Sequence, residues 1–304
     1  MVLSNRRRLG VDRLDDRIMP AVLINEVLVN PPGSPDSPTE YIEVRVTAGS
    51  ALSQLNNLYI VALEGEKPGT GSSDPGSVDL AYKLTATDIA NFKSKFDADN
   101  NNIADAGGII LLTGTGHGYT NAASTSVVIT IPELTAGSSY KGLENGASSF
   151  LTLTYTGATL PTDLDTNGSL GSGADGDGVL DAIANLAYLD GVGYLDKEVS
   201  TDFVYGAKIP FDADFTPDIL VRDSSYTTQA FSGVTGAAGA NSTAVAGNWY
   251  AAELVPTRLG VTTDWNSDGL QDGANWQIDT TASTTFGTFP AGTNQTTAGA
   301  ANLA

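Results

Sequence analysis

The chain has no cysteine, which excludes disulfides, a thiol nucleophile and any cysteine-based zinc site. Histidine occurs once, at His117 in Gly114-Thr-Gly-His-Gly118, so a Ser-His-Asp triad would have to use it. No Gly-x-Ser-x-Gly elbow is present to hold the serine. The glycines around His117 lack the Lys-Ser/Thr of a phosphate loop and lead into no helical pattern, so they read as a turn. Basic residues are few: 15 Lys and Arg stand against 35 Asp and Glu, for a net charge of −20. Nucleic acid and anionic membrane surfaces are therefore poor partners, because both are held by clustered Lys and Arg. No apolar run approaches the roughly 18 residues of a membrane-spanning helix. Charged residues make up only 16% of the chain, below the roughly 25% usual for soluble domains.

What replaces charge is Ser, Thr, Gly and Ala, a mixture that suits strands and turns better than surface helices. With 304 residues and 41% hydrophobic content, the chain can bury a substantial core. Ala21–Val29 is nearly all apolar, as in a strand covered on both faces. Tyr41–Val46 alternates, with Ile42, Val44 and Val46 opposite Tyr41, Glu43 and Arg45. Phe150–Tyr155 alternates as cleanly. Leu58–Leu63, Gly108–Thr113, Val127–Ile131, Leu186–Tyr194, Phe203–Tyr205, Ile219–Arg222 and Trp249–Leu254 complete the expected strands. One helix is expected over Thr87–Phe96, with Thr87 as N-cap and Ile89, Phe92 and Phe96 on one face. No repeat of constant period is visible, which argues against a solenoid or propeller.

Residues 1–20 form a separate basic leader that carries five of the 15 basic residues. Its Arg13-Leu-Asp-Asp-Arg-Ile-Met-Pro-Ala21 resembles the R-L-E-D-R-x-x-P-A box that opens many large bacterial surface proteins, with Asp15 in place of Glu. Beyond it, Leu23-Ile-Asn-Glu-Val-Leu-Val-Asn-Pro-Pro32 followed by Glu40-Tyr-Ile-Glu-Val44 resembles the first hairpin of the bacterial lamin-tail domain. Leu189-Asp-Gly-Val-Gly-Tyr-Leu-Asp196, Asn248-Trp-Tyr-Ala-Ala-Glu-Leu254 and Ala298-Gly-Ala-Ala-Asn302 are similar to later segments of that family, and occur in its order. The resemblance implies an all-β fold: one immunoglobulin-like antiparallel β-sandwich over residues 21–304. Long insertions are expected at 65–105 and 157–182, with the single short helix. It also implies a structural or adhesive, extracellular role at a bacterial cell surface.

The acidic residues are grouped. Calcium takes six to eight oxygen ligands, and alternate Asp/Asn residues in a tight loop supply them, with a residue tolerant of left-handed backbone at position six. Asp264, Asn266 and Asp268 occupy positions one, three and five of one such loop, with Gly269 at six, the Leu270 carbonyl at seven and Asp272 at nine. Asn275 stands at position twelve, where an EF-hand has a bidentate Glu, so weaker binding is expected unless a remote carboxylate completes the shell. A second loop sets Asp97, Asp99, Asn101, Ile103 and Asp105 at the same spacing, with Asn102 at the turn. A third is divided: Asp163, Asp165 and Asn167 begin it and Asp175, Asp177 and Asp181 finish it, and the halves are expected to close around one ion. Asp212, Asp214 and Asp218 make a poorer loop, interrupted by Pro217. The plain alternative for each loop is a solvated Asx-turn.

The expected function is therefore non-catalytic: a calcium-stabilised structural or adhesive protein, with self-association, other surface proteins or glycans as partners. Two alternatives stay open. Trp249, Trp265 and Trp276 could stack sugars, as in a carbohydrate-binding module. A carboxylate pair could hydrolyse glycosides, although 8% aromatics is thin for a sugar-lined cleft.

Overall fold

The computed structural model describes residues 22–31, 39–66, 74–116, 126–135, 143, 146–166, 178–195, 202–209, 217–223, 249–259 and 275–278. Two sheets face each other. One is built from β1 (Val22–Leu28), β2 (Tyr41–Val46), β5 (Gly108–Thr113), β6 (Ser126–Thr130), β10 (Ile219–Arg222) and β11 (Trp249–Ala252), in the order β11-β10-β1-β2-β5-β6. The other contains β3 (Leu58–Glu64), β4 (Val78–Lys83), β7 (Ser148–Tyr155), β8 (Leu186–Tyr194) and β9 (Ala207–Ile209), in the order β4-β3-β7-β8-β9. A separate antiparallel pair joins β12 (Leu254–Leu259) and β13 (Asn275–Ile278). The protein is an all-β sandwich with one α-helix, α1 (Ala86–Phe96), among the described residues.

The core between the sheets is filled from both sides: Val22, Ile24, Val27, Ile42, Val44, Ile110, Leu112 and Trp249 from the first, Leu58, Ile60, Phe150, Val192 and Tyr194 from the second. Strict alternation along β1 would turn Val27 and Val29 away from Val22 and Ile24. A bulge prevents this. Ile24 pairs with Val44 but Glu26 pairs with Glu43, leaving Asn25 as the extra residue that resets the parity. Glu26 then accepts a hydrogen bond from the Tyr41 hydroxyl, and Asn25 donates to Glu43, so the polar residues of the opening hairpin are buried together.

Several expectations need correction. The sandwich is not wholly antiparallel, because β5–β6 and β8–β9 run parallel. The segment 65–105 is more than an insertion, since it supplies β4 to the second sheet as well as α1. The helix is capped two residues earlier than its apolar face indicates: Thr85 is the N-cap, closed by Asp88 in a reciprocal capping box. Phe203–Tyr205 is not a strand; the chain becomes extended and paired only at β9. The stretch 249–254 divides at Glu253 into β11 and β12.

The outer face of the second sheet has its own apolar layer. Tyr59, Val61, Leu63, Leu151 and Leu153 pack with Leu164 and Leu180, which come from the long connection between β7 and β8. That connection is a cover for the sheet, anchored where Leu164 N–H donates to Gly76 O (2.9 Å).

Candidate metal centre

The candidate centre lies where α1 hands the chain to β5. Phe92 and Phe96 are buried, their rings tilted at 42° with centroids 4.5 Å apart, fixing the last turn of the helix to the core. Gly108 lets it sit close: a Cβ there would fall 2.6 Å from the Phe96 ring. Residues 97–107 must therefore turn within a short span, and Asp, Asn and Gly are suited to that.

Asp97 caps the helix and is 3% exposed, whereas Asp99 and Asp105 lie in solvent. The backbone wraps around their carboxylates. Asn101 N–H donates to Asp97 Oδ1 (3.0 Å) and Asp99 Oδ1 (3.1 Å). Asn102 N–H donates to Asp97 Oδ2 (3.1 Å), and Ala98 N–H to Asp105 Oδ2 (2.6 Å). Asn101 turns its own Oδ1 inward to accept from Ile103 N–H (2.7 Å). Asn100 and Asn102 adopt left-handed backbone, at φ 57° and 64°, conformations that Asn tolerates best after Gly. The result brings carboxylate oxygens of Asp97, Asp99 and Asp105 within 4.8 Å of one another. Among the described residues this is the one group of three or more acidic or metal-ligating side chains that converges in this way.

The far side of the loop is tied to the first sheet's periphery. Ile103 bridges Ala51, Ala104 N–H donates to Ser50 O (2.9 Å), and Leu52 N–H donates to Asn102 O (2.9 Å). Asp105 N–H returns to Phe96 O (2.7 Å). Lys93 reaches from the last turn of α1 to Asn102 Oδ1 (2.7 Å). Ile103, expected to offer its carbonyl, keeps its side chain 43% exposed. Counting Asp97 as one, the twelfth residue is Gly108, so no bidentate carboxylate closes this loop from within. The donor set is all oxygen and anionic, which fits a hard divalent cation and excludes the nitrogen and sulfur ligation of zinc.

The divided loop is brought together at its described ends. Gly178 N–H donates to Asp165 Oδ2 (2.9 Å), while Thr166 donates to Asp181 Oδ2 through its N–H (3.0 Å) and its hydroxyl (2.7 Å). Asp163 Oδ1 accepts from Asp165 N–H (2.9 Å), an Asx-turn. Asp165 is fully buried and also accepts from the Tyr205 hydroxyl (2.8 Å), so its Oδ2 is committed to protein donors. Burial, reinforced by Asp181 and Asp165, raises the ionisation range of the neighbouring Tyr188 hydroxyl well above that of a free tyrosine. Asn167, Asp175 and Asp177 lie outside the described residues, as do Asp264, Asn266, Asp268, Leu270 and Asp272 between β12 and β13, His117, and the leader 1–20.

Asp218 has a structural task instead of a place in a loop. Its side chain accepts from Leu254 N–H (2.7 Å) and its carbonyl from Val29 N–H (2.8 Å), joining the ends of β1 and β12. Trp249 is fully buried beneath the Arg222 guanidinium, 4.4 Å from its ring centroid, and so offers no platform for a sugar. Trp265 lies outside the described residues, and Trp276 is placed in β13.

One buried constellation was not anticipated. Asp190 on β8 pairs with Arg222 on β10, joining the two sheets, with both side chains essentially inaccessible. Asp190 also accepts from Ile24 N–H (2.7 Å), and Arg222 Nε donates to Ile24 O (2.6 Å). The signal in the sequence was a lone Asp and a lone Arg within otherwise apolar strands, each of which needs a partner if buried. Comparison with protein-family models and with curated proteins gives no match.

Proposed function

We propose that this chain is a non-catalytic structural or adhesive protein of a bacterial surface or matrix, an immunoglobulin-like sandwich of lamin-tail type that binds calcium at the Asp97–Asp105 loop. The observation that supports it most directly is the convergence of three carboxylates at the junction of α1 and β5. Calcium suits the site because the ligands are oxygens and Asp99 and Asp105 are open to solvent, so water can complete the shell that Gly108 at position twelve does not. The ion would act as a clasp. Like charges that repel across the loop become joint ligands, and the helix end, the loop and the strip at residues 49–52 are held as one unit. The Asp264–Asp272 loop and the divided Asp163–Asp181 loop are proposed as further calcium sites of the same kind. An extracellular location is proposed from the resemblance of residues 13–21 to the box of bacterial surface proteins, and self-association, other surface proteins or glycans are the proposed partners.

The test is thermal unfolding in EDTA and in excess calcium, run on the parent and on Asp97→Asn/Asp99→Asn. A ligand at about 100 times its Kd stabilises the folded form by about 2.7 kcal/mol. The parent should therefore melt roughly 5 °C or more higher with calcium. The double variant should lose the part of that rise due to this loop. A parent midpoint unmoved by calcium would refute the proposal.

A further inference from the structure

We infer that the Asp74–Pro75 peptide bond is a self-cleavage site, broken by the Asp74 side-chain carboxyl with water as the only co-reactant. The inference is independent of any bound metal. Asp74-Pro75 is the one Asp-Pro pair in the sequence. It lies in the turn that leads into β4, where Ser77 N–H donates to Asp74 O (3.0 Å) and Gly76 has φ 91°. Proline in second place and a left-handed glycine in third are the marks of a type II turn. The turn is clamped on both sides. Gly76 N–H donates to Glu64 O at the end of β3, and Gly76 O accepts from Leu164 N–H in the segment that covers the sheet, each at 2.9 Å. A Cβ on Gly76 would fall 2.6 Å from Asp165 Cβ, so only glycine fits there.

Three requirements of amide cleavage meet at this bond. The nucleophile is at hand: Asp74 is partly exposed, and no hydrogen bond ties its side chain to another described residue. The carbonyl under attack is the one that Ser77 N–H already holds, a fixed donor at the oxygen on which negative charge develops. The leaving group is the proline nitrogen, more basic than an ordinary amide nitrogen. In the first step a carboxyl oxygen of Asp74 bonds to the backbone carbonyl carbon of the same residue, closing a five-membered ring. The C–N bond to Pro75 breaks, and the carboxyl proton passes to the proline nitrogen. The products are a cyclic anhydride at Asp74 and a free amine at Pro75. Water then opens the anhydride, leaving two carboxyl groups on Asp74, and nothing is oxidised or reduced. The sandwich survives the break. β1, β2 and β3 precede it, yet β1 pairs with β10, β2 with β5, and β3 with β4 and β7. The protein becomes two chains in one fold, with a new amino terminus just ahead of β4.

The test is to incubate the purified full chain in mildly acidic buffer with protease inhibitors and follow it by mass spectrometry under denaturing conditions. Two fragments should accumulate, their masses summing to that of the parent plus one water, the second beginning at Pro75. Asp74→Ser removes the nucleophile and should abolish cleavage, and Pro75→Ala should slow it by about tenfold or more, since an ordinary amide nitrogen leaves less readily. The fold places the Ser77 donor, so the folded chain should cleave about tenfold or more faster than the urea-unfolded chain in the same buffer. That comparison separates a built site from the ordinary acid lability of an Asp-Pro bond. A parent that stays intact overturns the inference. So does cleavage that persists in Asp74→Ser, or a rate no higher in the folded chain than in urea.

Discussion

Replacing Asp190 by Ala should be among the most damaging single changes in this protein. The Asp190–Arg222 pair is fully enclosed, and three groups depend on it: the guanidinium, the Ile24 N–H and the orientation of Arg222 over Trp249. Asp190→Ala removes the carboxylate that faces the Arg222 guanidinium in an apolar interior, while Arg222 Nε keeps its hydrogen bond to the Ile24 carbonyl. Arg45 makes matters worse. Its ionisation is already depressed, first by burial and then by Arg222, with Asp190 opposing the effect. Breaking a buried pair from one side costs about 3–5 kcal/mol, against about 0–1 kcal/mol for an exposed pair. Urea unfolding at neutral pH measures the loss as a fall in midpoint at constant m-value. Asp190→Leu/Arg222→Met, which removes both charges, should recover much of the stability lost by Asp190→Ala, giving a large favourable coupling in a double-mutant cycle. A loss below about 1 kcal/mol for Asp190→Ala, or costs that simply add in the double variant, would show that the pair does not carry the burden assigned to it.

Three further outcomes are expected. Thr85→Ala removes the N-cap acceptor for Asp88 N–H and should cost about 1 kcal/mol in urea unfolding, whereas Thr87→Ala should be nearly silent. Gly108→Ala forces a methyl group into the Phe96 ring and should destabilise by about 1–3 kcal/mol, lowering calcium affinity as the helix end shifts. Tyr82 and Tyr250 should ionise near 12 in an ultraviolet titration, held there by burial and by hydrogen bonds to Asp88 and Asp223. Because the folded values lie above the unfolded one of about 10, this stabilisation is complete below pH 10 and is lost as pH rises through 12. Titration of both hydroxyls at the unfolded value would contradict the hydrogen-bonded geometry.

Period-two alternation located β2 and β7 because each has one apolar side: Ile42, Val44 and Val46 of β2 face the inter-sheet core, whereas Leu151 and Leu153 of β7 face the outer apolar layer. β4 escaped notice for the converse reason: as an edge strand it buries Leu80 alone among its six residues, too little to leave a pattern. The spacing of Asp97, Asp99, Asn101 and Asp105 was legible because a nine-residue loop is closed by its own side chains, so local order determines local geometry. The Thr85–Asp88 box is equally local, but the apolar face of Ile89, Phe92 and Phe96 does not by itself distinguish Thr85 from Thr87 as the cap. Strand direction is another matter. Nothing in Ser126–Thr130 distinguishes a parallel neighbour from an antiparallel one, since both ladders bury the same face. The pairing of Asp190 with Arg222 joins residues 32 positions apart on opposite sheets. A sequence can show that a buried charge needs a partner; only the packing of the two sheets decides which group is near enough to be one.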